Sequence, residues 1–222
     1  MILRLSALVL VIFLVWLAQQ AGMAGVAGIH GESAAAYRQE MLKSRAHSAR
    51  WSQALAEGER NIALAGQVTR GVNKYTVLAA DFAYQRQQNE TAAALLRDAL
   101  GTAPVRADIW SRLALVNYQL EGASAATLHA LDRAFFFGPR EYDTLLVNAT
   151  ITLDPNAKLD ARRQLRGWNG IVEAVAMPGL ARQVTAMVAE AGMQRQLRTL
   201  LRQRQPQREA LELRREELRG DG

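Results

Sequence analysis

The chain has 222 residues, with 27 Lys and Arg against 21 Asp and Glu, and half of its residues are hydrophobic. It has no cysteine, which excludes disulfides, thiolate metal sites and cysteine nucleophiles, and only three histidines, His30, His47 and His129. Aromatics make up only 6%, while Ala, Leu, Arg and Gln recur throughout, a composition that favours helices over a β-sandwich.

Residues 1–29 open with an unbroken apolar run, Leu5 to Ala18, and stay small and apolar from Ala21 to Ile29. Together these give about 25 residues, enough for a hydrocarbon core of roughly 30 Å. A retained transmembrane anchor is therefore expected. A removable signal segment is its rival, since Gly22-Met23-Ala24 and Gly25-Val26-Ala27 loosely fit a small-x-small cleavage site. Arg4 precedes the span and no basic residue follows until Arg38, which puts the amino terminus inside and leans the body towards the periplasm. The expected location is a single-pass inner-membrane protein.

Residues 30–71 read as amino-terminal capping helices. Tyr37, Met41, Ser44, Ser48, Trp51 and Leu55 alternate four and three apart, which places them on one helical stripe.

The middle of the chain repeats. Shifted by 35, Tyr75 meets Trp110, Leu78 meets Leu113, Ala79 meets Ala114, Leu96 meets Leu131, Ala99 meets Ala134 and Pro104 meets Pro139. An aromatic and a leucine three apart share one helix face, and small residues beside them let a second helix pack closely. Proline then marks the break between hairpins, because it disfavours helix continuation. This pattern resembles the tetratricopeptide repeat. The first unit carries Tyr75, Leu78, Ala79, Phe82, Ala92, Leu96, Ala99 and Pro104; the second departs at Asn117, where an aromatic is usual, and at Thr127, where alanine is. The resemblance implies two hairpins over residues 72–139, inside an all-α solenoid of six to nine helices after the anchor. It also implies a concave partner-binding groove, lined by Asn73, Thr76, Ala80 and Tyr84 and by Asp108, Ser111, Leu115 and Tyr118, with Arg112 adjacent.

A third unit fails at Leu145 and Asn148, yet 141–152 and 158–176 read as a helix pair, so residues 140–192 are expected to cap the stack. In Phe135-Phe136-Phe137 the register sends Phe135 and Phe137 inward and only Phe136 outward. Residues 193–222 carry eight arginines interleaved with Glu209, Glu212, Glu216 and Glu217. Alternating charge of this kind suits a solvated helix, or contact with an acidic partner. Nucleic acid is disfavoured, because no stacking aromatics accompany the arginines.

No G-x-G-x-x-G, P-loop or H-E-x-x-H occurs, and the histidines stand on separate segments, so neither catalysis, a metal nor a cofactor is expected. The stretch Ala103 to Ala114, followed by Phe137-Gly138-Pro139-Arg140-Glu141, looks like small anchored repeat proteins of bacterial exopolysaccharide biosynthesis and export. That resemblance implies a membrane-tethered scaffold with a protein partner. The alternatives are an envelope module holding an anionic polysaccharide through its arginines, or a scaffold of a secretion or envelope complex. If the anchor is retained, the protein stays in the membrane through high-salt and alkaline washes and its amino terminus reads Met1. Amino-terminal sequencing that begins near Gly25 or Gly28, on soluble protein, gives the signal-segment outcome.

Overall fold

A computed structural model describes the backbone of residues 2–68 and 73–204, with side chains from residue 13 onward. The tail beyond residue 204 lies outside the described residues. So do the side chains that begin the expected anchor. Among the described residues every regular element is a helix, as the composition requires. The chain divides into two units, Met1–Pro104 and Val105–Gly222.

The first unit holds α1 (Ile2–Lys43), α2 (Ala49–Val68), α3 (Asn73–Gln85) and α4 (Asn89–Thr102). α1 packs along α2 and touches α3, which packs in turn on α2 and α4. Its core joins Ala34, Met41, Ala54, Leu55, Ile62, Ala65, Leu78 and Phe82. α1 runs unbroken through residue 29. The stripe expected as one helix is instead folded in half. Residues 44–48 turn, His47 takes a left-handed φ of 61°, and the Ser48 hydroxyl caps α2 by accepting from the Trp51 amide at 3.2 Å. Met41 and Leu55 still meet in one core, so the apolar spacing was informative while the turn inside it went unread.

Among the described residues no helix is long and apolar enough to cross a membrane. The expected span draws on Leu5 to Ile12, whose side chains lie outside the described residues. From Phe13 to Leu17 the side chains of α1 are 41–63% exposed, and among its described side chains the first buried one is Ala27.

The second unit holds α5 (Ala107–Glu121), α6 (Ala125–Phe137), α7 (Tyr142–Leu153), α8 (Ala161–Val175), α9 (Pro178–Glu190) and α10 over 194–204. Local chemistry sets the ends. Ser124 caps α6 by accepting from the Thr127 amide at 3.2 Å, Asp160 caps α8 through the Arg163 amide at 2.8 Å, and Pro178 opens α9. α7, α8 and α9 pack on one another around Leu145, Trp168, Ile171, Leu180 and Val184.

Corresponding turns share a positive φ, and corresponding helix ends a backbone conformation. Gln87, after α3, and Gly122, after α5, lie 35 residues apart and take left-handed φ values of 61° and 65°. Ala103 and Gly138, again 35 apart, close α4 and α6 at φ/ψ of −139°/66° and −151°/73°. Their amides donate to the carbonyls of Ala99 and Ala134 at 3.1 and 2.9 Å. Leu78 and Leu113, Leu96 and Leu131, and Ala99 and Ala134 are all buried. The second pair departs at Asn117, buried where the first pair has Phe82.

Gly58 sets how closely α2 approaches α3. A Cβ there would fall inside contact distance of the Phe82 ring, which is fully buried and has nowhere to move. Gly66, on the same helix, has open space around it. Gly58→Ala is therefore expected to destabilise by about 1–3 kcal/mol through overpacking. Gly66→Ala, on helix propensity, is expected to stabilise by up to about 1 kcal/mol. Paired urea melts of the two variants check both signs.

Candidate interaction surfaces

In the first unit the groove positions are partly spent on the fold. The Asn73 amide donates to the Ala99 carbonyl at 2.6 Å and to Thr102 Oγ1 at 2.8 Å, tying the start of α3 to the end of α4. Ala80, at 1% exposure, is buried and lines no open groove, which corrects that expectation. Thr76 and Tyr84 remain half-open, and burial pushes the Tyr84 phenol pKa above its ordinary value.

In the second unit α7 packs against α5 and claims much of the face assigned to the groove. Ser111 is wholly buried: its hydroxyl donates to the Ala107 carbonyl at 2.9 Å and lies 2.9 Å from the Thr144 hydroxyl. It is a packing residue, again against expectation. Arg112 reaches Asp143 at 3.5 Å, and Asp108 accepts from Arg106 Nε at 2.9 Å. The Tyr118 hydroxyl donates to the Asp154 carboxylate. Burial and that bond raise the phenol pKa well above its usual value, while the same bond lowers that of Asp154. Leu115 is half-buried. Trp110, the aromatic that opens the second repeat unit, is half-buried, set edge-on to His129 at 5.8 Å with the Arg133 guanidinium over it.

An opening absent from the sequence reading lies between α6, the corner after it, α8 and α10. It encloses about 420 Å³. Asp132 forms one wall, accepting from Arg163 at 2.7 Å and from Arg166, whose guanidinium also covers the Phe135 ring at 4.7 Å. Glu173 forms the other, accepting from Arg204 at 3.0 Å, and Arg204 also donates to Asn169 at 2.7 Å. Both acids are thus engaged from within. Facing outward are the Phe136 ring, 74% exposed, and Arg140, 80% exposed and no nearer to Glu173 than 3.9 Å. An apolar ring beside a lightly paired guanidinium suits a partner segment that carries an apolar side chain next to a carboxylate. The outward Phe136 was legible from the register. The ion pairs were not, because their partners lie 31–34 residues apart and meet only once α8 and α10 have docked.

The remaining histidines serve local contacts. His30 Nδ1 lies 2.9 Å from Asn61 Oδ1, and His47 packs by Trp51. Among the described residues no group of three or more His, Cys, Asp or Glu is placed to hold a metal.

Burial works against ionisation of Asp132, but the hydrogen bonds from Arg163 and Arg166 outweigh it and lower the pKa. A carboxylate whose folded pKa is depressed stabilises above its unfolded value, and that stabilisation is lost as pH falls through the folded one. Asp132→Asn should therefore cost about 1–3 kcal/mol at neutral pH, solvent screening having trimmed it. The cost should shrink on acidification, as denaturant midpoints across the acid range would report. Comparison of the chain with protein-family models, with curated proteins and with solved structures gives no match.

Proposed function

We propose that this chain is a membrane-tethered, non-catalytic interaction protein, acting as an accessory factor in bacterial exopolysaccharide biosynthesis or export. One observation carries the tether. Five consecutive apolar residues, Phe13 to Leu17, are exposed on all sides of α1 before that helix meets the body. Water is a poor solvent for such a surface and lipid a good one. With Leu5 to Ile12 ahead of it and the small apolar stretch Ala21 to Ile29 behind it, the run reaches about 25 residues, the length of a bilayer core. In this reading the protein crosses the inner membrane once and its body lies in the periplasm.

The finer fold reading is a short tetratricopeptide-like solenoid. It draws support from the positive φ shared by Gln87 and Gly122 and the matched helix ends at Ala103 and Gly138. The link to polysaccharide machinery rests on the resemblance across 103–114 and 137–141. No cofactor or nucleic acid has a part in it. The protein partner is placed at Phe136 and Arg140, since Ala80 and Ser111 are buried and Asn73 and Tyr118 are bonded within the fold. A second reading, a module holding an anionic polysaccharide, draws on cations away from that opening, Lys43 and Arg45.

Capture of partners from detergent-solubilised membranes by the tagged full chain tests this reading. Phe136→Ala combined with Arg140→Ala is expected to weaken capture by about 2 kcal/mol, roughly thirtyfold, while Tyr84→Ala leaves it intact. The reverse pattern would return the surface to α3. Release of the protein by an alkaline wash would remove the tether.

A further inference from the structure

The corner where α1 ends and α2 begins carries charge that the fold does not use. Glu40, Lys43, Ser44, Arg45, Ser48 and Arg50 line a concavity of about 430 Å³, within the size range of small-molecule sites. Arg50 pairs with Glu40. Lys43 and Arg45 are exposed and make no ion pair among the described residues. The carboxyl end of α1 and the amino end of α2 meet here, so their macrodipoles oppose each other and the side chains decide the sign. Three cations against one carboxylate leave the corner positive.

We infer that this concavity binds an acidic saccharide, a sugar bearing a carboxylate beside free hydroxyls. The donor and acceptor set points there. Lys43 and Arg45 answer the carboxylate through charge-assisted bonds. The Ser48 oxygen accepts from the Trp51 amide and keeps its own proton to donate. The Ser44 hydroxyl donates to the Glu40 carbonyl at 2.8 Å and keeps lone pairs to accept. Glu40 places an acceptor in the wall, which a sugar hydroxyl can meet as a donor and a phosphomonoester dianion, acceptor-only, cannot. A lipid headgroup is the other source of negative charge. From Ile29, where the expected span ends, to Lys43 the helix rises roughly 20 Å at about 1.5 Å per residue, beyond the screening length of roughly 8 Å. The corner therefore stands clear of the bilayer that would hold the amino terminus. That exclusion rests on the proposed tether; the saccharide chemistry does not.

Calorimetric titration of the full chain in neutral detergent tests the site. The probes are trigalacturonate, uncharged maltotriose, inorganic phosphate and phosphatidylglycerol vesicles. Trigalacturonate is expected to bind, to lose about tenfold in affinity in the Lys43→Gln/Arg45→Gln variant, and to weaken as salt rises. Both lysine and arginine are exposed and make no ion pair among the described residues, so the variant should keep the helicity of the parent, which circular dichroism checks. Equal binding of maltotriose, equal or tighter binding of phosphate, binding to vesicles alone, or no effect of the double variant would each overturn the inference. Loss of saccharide binding with membrane retention intact would sink this site alone. Alkaline release with saccharide binding intact would sink only the tether.

Discussion

Close approach of helices through small side chains is the constraint on which this fold depends. With few aromatics to fill space, contacts between helices are built from Ala34, Ala54, Ala65, Ala92, Ala99, Ala114, Ala134, Ala149 and Ala174, each nearly or wholly buried. Glycines take the approach further: Gly58 receives the Phe82 ring, Gly167 the Thr152 side chain and Gly170 that of Asn148. Such interfaces are dense and leave little room for a larger group. Ser111 and Asn148 enter them hydrogen-bonded, Ser111 with Thr144 and the Asn148 amide with the Gly167 carbonyl at 2.9 Å.

Arginine forks add to the hold of the small residues. Arg86 grips Glu59 with two bonds at 2.8 and 2.7 Å, Arg38 reaches Asp81 at 2.7 Å, and Asp132 takes two arginines from α8. A planar guanidinium satisfies both carboxylate oxygens at once, which an ammonium cannot. The arginine bias of the sequence thus has structural use, though the single case of Lys74 with Glu32 shows lysine filling one such place.

Helix class and the 35-residue recurrence were legible because both follow from local spacing. Leu78, Leu96 and Leu113 were assigned to the interior on that spacing alone, and all are buried. The turn at 44–48 escaped because Ser44 and Ser48 sit at helical intervals, and nothing short of His47 adopting a left-handed φ interrupts the stripe. Of the groove positions, Ala80 and Ser111 are buried. The positions were carried over from the repeat family, and that transfer takes no account of α7 packing on α5 and burying Ser111. Surfaces made by distant partners, such as Asp132 with Arg166, leave no trace in local pattern.

α1 also distributes stiffness. It contains no proline, but Gly22, Gly25, Gly28 and Gly31 recur every third residue along three turns. The first three have empty space where a side chain would stand, and glycine lowers the cost of departing from helical geometry. Below this stretch the helix is exposed and apolar; above it Ala34 and Met41 lock it into the first unit. Bending therefore concentrates in one compliant section placed where the rod leaves its socket. A sideways load on the amino-terminal end is absorbed there instead of prising α1 away from α2.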